Sequence, residues 1–154
     1  MKKVIALLIL TFSIVAMSGC TVKNEVLDNN PEKTEFIPVP GDTTGIVFGY
    51  LFSQNEEPLQ ESIFLSRDIA YDQPDLPVTI SFSLQSDPRG KVNIETGFFY
   101  FDNIPPGDNY VITIFAGSGK PIFVMQENSD QPMVFAVTAG ESLDLGEIIV
   151  ELNY

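Results

Sequence analysis

From Gly45 onward, short runs rich in Val, Ile, Phe, Tyr and Thr alternate with clusters of Gly, Pro, Asn and Asp. Such runs predict strands at 45–53, 61–67, 77–84, 90–95, 97–102, 109–115, 121–126, 133–138 and 145–152. The breakers between them are Asn55 to Pro58, Asp72 to Pro77, Asp87-Pro88-Arg89-Gly90, Pro105-Pro106-Gly107, Gly117 to Pro121, and Gly140. No stretch of about 11 residues carries an i, i+3, i+4 apolar stripe, so no helix is predicted. Regularly spaced strands without helices point to an all-β fold, a single antiparallel β-sandwich of about seven to nine strands. The chain has no internal repeat and no low-complexity tract.

The most informative stretch runs from Gly97 to Tyr110. It reads as strand, tight turn, strand. Pro106 presets φ for a turn, and Gly107 is expected to take the φ > 0 position after it. Alternation then places Tyr110, Ile112 and Ile114 on one face. A Tyr opening a strand just after a corner can turn its hydroxyl back to the loop backbone. The same alternation places Val47, Leu51, Phe99 and Phe101 in the core with Ile112 and Ile114.

This stretch resembles the carboxypeptidase regulatory-like domain, whose fold is an Ig-like, transthyretin-like (prealbumin-like) β-sandwich. Gly97, Phe99, Phe101, Ile104, Pro105, Pro106, Gly107 and Tyr110 match its Gly-x-Phe-x-Phe, apolar, Pro-Pro-Gly, Tyr pattern, with one extra residue before Tyr110. Gly45, Val47, Gly49 and Leu51 are similar to the family's opening strand, and Pro58-Leu59 with Ile63 and Leu65 to its second. The resemblance covers roughly 45–152 and implies adhesion-like or structural roles, with no catalytic residues to carry over. The fold it implies is shared with starch-binding-like modules.

The N-terminus reads as an address. Lys2 and Lys3 precede an apolar run, Val4 to Ser18, that suits a signal peptide and is short for a spanning helix. Met17-Ser18-Gly19-Cys20 resembles the lipobox of bacterial lipoproteins. That resemblance implies cleavage after Gly19 and a diacylglycerol on the Cys20 thiol. The expected organisation is a leader at 1–19, a lipid-anchored tether at 20–44 and the sandwich at 45–154. Thr21 to Thr44 is polar and carries no period, so its 24 residues read as a flexible linker. As a coil they reach about 27 Å, taking ~5.5 Å × √n. Phe36-Ile37-Pro38-Val39 within it is apolar enough to dock at a sheet edge. The resemblance implies an extracytoplasmic location on the cell membrane or, since Thr21 rather than Asp follows Cys20, the outer membrane of a host that has one.

Composition then excludes functions. With 154 residues, 8 Lys+Arg against 21 Asp+Glu, the formal charge is −13, and losing Lys2 and Lys3 with the leader takes it to −15. A body this acidic repels phosphate backbones, which argues against a nucleic-acid partner, and also stands off anionic headgroups. The absence of His removes Ser-His-Asp and Cys-His chemistry and most transition-metal sites, and one Cys allows no internal disulfide.

Four candidate sites remain. If Val47, Leu51, Phe99 and Phe101 point inward, then Phe48, Tyr50, Phe52, Phe98 and Tyr100 point outward. That is an aromatic sheet face suited to a protein or glycan partner, unless other segments cover it. Asp68, Asp72 and Asp75 in one connection, with Asp102 and Asp108 beside the Pro-Pro-Gly turn, supply oxygen ligands of the kind calcium takes. No Asp-x-Asp-x-Asp-Gly loop is present, and solvating charge is the plainer reading. No cofactor is otherwise expected. Glu56-Glu57 or Asp72 with Asp75 would be the carboxylate pair of a hydrolase, but nothing in the sequence unites them in a cleft. Tyr50, Tyr71 and Tyr100 would stack on sugar rings in a carbohydrate-binding module. The sequence thus predicts a non-catalytic, lipid-anchored envelope protein, a binding, accessory or structural module. The alternative is a carbohydrate-binding module of the starch-binding-like fold.

Overall fold

Alternating apolar and polar residues fold into β1 (Gly45–Ser53), β2 (Ser62–Asp68), β3 (Ile80–Ser81), β4 (Lys91–Val92) and β5 (Phe98–Ile104). They continue as β6 (Gly107–Phe115), β7 (Pro121–Phe123), β8 (Phe135–Val137) and β9 (Ser142–Val150). The computed structural model describes residues 35–71, 73, 75–116 and 119–152, which belong to the unit Thr34–Tyr154. One sheet has the order β4-β5-β1-β9; the other is β3-β2-β6-β7, with β8 also pairing β6. No helix occurs among the described residues. The fold is an all-β sandwich.

Register explains the core. Val47 pairs Phe101 and Gly49 pairs Phe99, so inward residues of neighbouring strands adjoin. Val47, Leu51, Phe99, Phe101, Ile112 and Ile114 are each at most 1% exposed, as the period-2 pattern predicts. Each such side chain contributes about 1.5–3 kcal/mol of burial. The Phe99 and Phe101 rings meet edge-on at 6.0 Å.

The corner after β5 closes on Tyr110. Its hydroxyl donates to the Pro105 carbonyl at 2.7 Å and accepts from the Arg67 guanidinium at 2.6 Å. Arg67 is also its cross-strand partner on β2. The expectation of a left-handed Gly107 is corrected. The positive φ falls on Asn103 (58°), and Gly107 opens β6. A Cβ at 107 would sit 3.3 Å from the Tyr110 ring, so a larger residue there would press on that ring.

Other expectations are also corrected. The sandwich is not wholly antiparallel, because β9 runs parallel to β1. The chain leaves β8, turns at Gly140, whose N–H donates to Gly41 and Thr44, and so enters the other sheet beside the start of β1. The strand expected at 77–84 shortens to Ile80–Ser81, and that at 90–95 to Lys91–Val92. Between them Phe82 turns onto the outer face of β2 and β6, wedged between Phe64 (5.6 Å) and Phe115 (5.9 Å). The Asp87 carboxylate there accepts from the Ser83 N–H and the Ser66 hydroxyl, and Ser66 shares a further bond with Thr113. Likewise 121–126 and 133–138 form one edge along β6, broken by an excursion at 125–132.

The linker expected to run to Thr44 also differs over 35–44. The Glu35 carboxylate accepts from Asn93 and Thr96 in the turn before β5, while Gly41 and Thr44 bond Gly140 near the start of β1. Residues 35–44 therefore follow the length of the β1–β5 pair. Paired side-chain and backbone partners hold a segment whose own sequence has no strand period.

Candidate functional site: the outer face of β4-β5-β1-β9

Because β1 and β5 are in register, Phe48 lies opposite Tyr100 and Tyr50 opposite Phe98. The side chains alternating with the core residues therefore converge on the outer face. Phe98 is the hub, with ring centroids 6.3 Å from Phe48, 5.4 Å from Tyr50 and 6.2 Å from Tyr100. Tyr50 continues to Phe52 at 6.4 Å with parallel planes. The five aromatics read from the sequence as outward-facing are thus one connected patch. Its exposure is less than expected. Phe98 is 4% exposed, roofed by its neighbours, and is a support rather than a contact residue. Phe48, Tyr50, Phe52 and Tyr100 are half-buried. Ile149, opposite Phe52 on β9 and 65% exposed, extends the apolar surface to the sheet edge.

Polar groups rim the other side. The Lys91 ammonium lies 4.8 Å from the Tyr100 ring centroid and 2.9 Å from an Asp102 carboxylate oxygen. The hydrogen bond it donates to the Asp102 carboxylate, and after that its interaction with the Tyr100 hydroxyl, hold its pKa above the ordinary lysine value. Glu35 and Phe36 come down beside Lys91, Asn93, Phe98 and Tyr100 and line an open hollow of about 230 Å³. The docked segment therefore covers part of the face and shapes a hollow on it. Its apolar residues stay largely in solvent, with Phe36 at 74% and Val39 at 90% exposure. The edge-docking expected of 36–39 is made instead by Glu35, through a carboxylate that apolar patterning does not flag.

The other candidates are dispersed. Asp68 is buried, and its carboxylate accepts from the Ala70 and Thr79 N–H groups, so it clamps the loop after β2. Asp102 is paired with Lys91, and Asp72 lies outside the described residues. Among the described residues no group of three or more Cys, Asp or Glu side chains is placed to hold a metal ion. Glu56 and Glu57 stand exposed on the turn after β1. Tyr71 sits half exposed on the loop after β2, away from Tyr50 and Tyr100. Cys20 lies outside the described residues.

Pattern reading missed a second concavity. An open groove of about 1050 Å³ lies between the 122–133 segment and the C-terminal half of β9. Its residues come from strands distant in sequence, and only the sheet order brings them together.

No protein-family model and no curated protein matches the chain. Among solved structures it is similar to a 9R-lipoxygenase from Cyanothece PCC8801, at 13% identity and a TM-score of 0.34 over 77% of this chain. The chain spans 18% of that enzyme's length, and a likeness so slight carries no functional argument.

Proposed function

We propose that this protein is a non-catalytic, lipid-anchored module of the bacterial cell envelope that binds a protein partner through the outer face of β4-β5-β1-β9. Cys20 carries the lipid, and the resemblance of Met17-Ser18-Gly19-Cys20 to a lipobox supports that part. The observation that carries the binding role is the connected patch of Phe48, Tyr50, Phe52 and Tyr100 over Phe98. Aromatic rings held by neighbours lose little side-chain entropy on binding and bury large apolar area. A purely solvated sheet face would carry Thr, Lys or Glu at these positions.

A second reading has its own observation. The hollow of about 230 Å³ beside Tyr100 and Phe98 is rimmed by Lys91, Asn93 and Glu35, an aromatic wall with polar groups at its edge. That combination suits a sugar ring, in line with the carbohydrate-binding alternative.

In-cell crosslinking of the full chain, followed by mass spectrometry, tests the proposal. The Phe48→Ser/Tyr100→Ser variant runs beside it, with Tyr50→Ser as a milder companion. One protein captured by the parent and lost from a variant that keeps its Tm is the expected result. Equal capture by parent and variants overturns the protein reading. Retention on a glycan array that disappears in Tyr100→Ser favours the carbohydrate one.

A further inference from the structure

We infer that the groove between β7 and β9 is a second, independent docking site, which takes an extended protein segment whose apolar residues alternate with Lys or Arg. β9 ends one sheet and β7 ends the other, so each is hydrogen-bonded on one side only among the described residues. An edge strand offers a row of free N–H and C=O groups, which natural proteins blunt with Pro, Lys, a covering segment or short length. β9 contains neither Pro nor Lys. A bulge at Leu145-Gly146, where Gly146 takes φ 67° and its N–H donates to the Asp144 carboxylate, interrupts the edge, but Glu147 to Val150 beyond it runs in unbroken register with β1.

The groove beside this edge is shaped for side chains. Its volume is about 1050 Å³. Ile148 and Val150 belong to the core there, while Met133 and Leu145 are only partly buried. Met125, 44% exposed, stands on the opposite lip. Methionine is flexible and polarizable, and it adapts to varied apolar residues. From Glu147 to Val150 the regular edge measures about 13 Å at ~3.3 Å per residue, room for a short strand. Strand addition would supply affinity through the backbone and specificity through alternate side chains in the groove.

Charge selects the occupant. Glu127, Asp130, Glu147 and Glu151 line the groove, and no Lys or Arg does. None of the four forms a salt bridge among the described residues. A second copy of this chain would bring its own Asp144, Glu147 and Glu151 against the first, and like charges directly opposite across strands repel. A cationic, alternating segment meets both the acids and the apolar floor.

The test uses the full chain in non-ionic detergent and a short capped peptide alternating valine and lysine. Three control peptides accompany it: serine for valine, glutamate for lysine, and the original sequence N-methylated along one edge. Affinity is read by fluorescence anisotropy, and the site by NMR shifts at Leu145 to Val150. The expected result is binding of the valine/lysine peptide about tenfold tighter than any control. Glu147→Lys/Glu151→Lys should lose that advantage, while Asp75→Lys/Asp108→Lys, the same charge change outside the groove, should keep it. Equal binding of the serine/lysine or N-methylated peptide would reduce the effect to surface charge and overturn the inference. So would absence of binding, or a dimer in sedimentation that the peptide cannot dissociate, which would make a second copy the occupant.

Discussion

Two side chains close one end of the sandwich, where β2 finishes and β6 starts, by satisfying backbone groups. The Tyr110 hydroxyl joins the Pro105 carbonyl and the Arg67 guanidinium, with the guanidinium 4.7 Å from the ring centroid. Removing the hydroxyl leaves a carbonyl and a cation without that partner. Tyr110→Phe should therefore cost about 1–2 kcal/mol in chemical denaturation, with no change of fold. Asp68 plays the same part for the next loop, through Ala70 and Thr79. Asp68→Ala should cost about 2 kcal/mol, and hydrogen exchange should quicken at Ala70 and Thr79 before it does in β6. The Tyr110 role is legible in sequence, since a Tyr after a Pro-Pro-Gly corner has one short route back to the loop. That of Asp68 is not. Its acidic neighbours suggest a cation, whereas its carboxylate is occupied by two N–H groups of its own loop.

At the scale of elements, alternation locates β1, β2, β5 and β6 within a few residues, because each has one face in the core. The edges are where pattern reading falls short. Val78, Ile80, Phe82 and Leu84 alternate like a strand, yet the chain pairs only at Ile80–Ser81 before Phe82 finds Phe64 and Phe115. The aromatic contact and the Asp87 bonds outweigh a few ladder bonds at an edge. The parallel β9 is invisible locally, since strand direction depends on how the chain crosses between sheets. The turn into β5 depends on Gly97, at φ 76°, where a Cβ would lie 2.7 Å from the Leu51 carbonyl oxygen. Gly97→Ala adds both a left-handed strain and that contact. It should cost about 2–3 kcal/mol, read as a lowered denaturation midpoint at unchanged m-value.

For the whole molecule, the connected aromatic face of β1 and β5 and the open edge at β9 are both consequences of sheet order. The face is the better read from sequence, because five outward aromatics on two paired strands must adjoin once the register is set. What alternation does not convey is that Phe98 is roofed by the others and that Glu35 pins a covering segment at the turn before β5. In the proposed envelope setting, Cys20→Ser should move the protein from the membrane to the soluble fraction on cell fractionation, with the fold unaltered. In the proposed role, a partner sits on the aromatic face. Site-specific photo-crosslinking in cells addresses it most directly, with the photoreactive residue placed at Tyr50 on that face and, separately, at exposed Leu84 near the other sheet. A discrete adduct from position 50 and none from 84 is the expected result. Adducts of equal yield from both, or from 84 alone, would contradict that role.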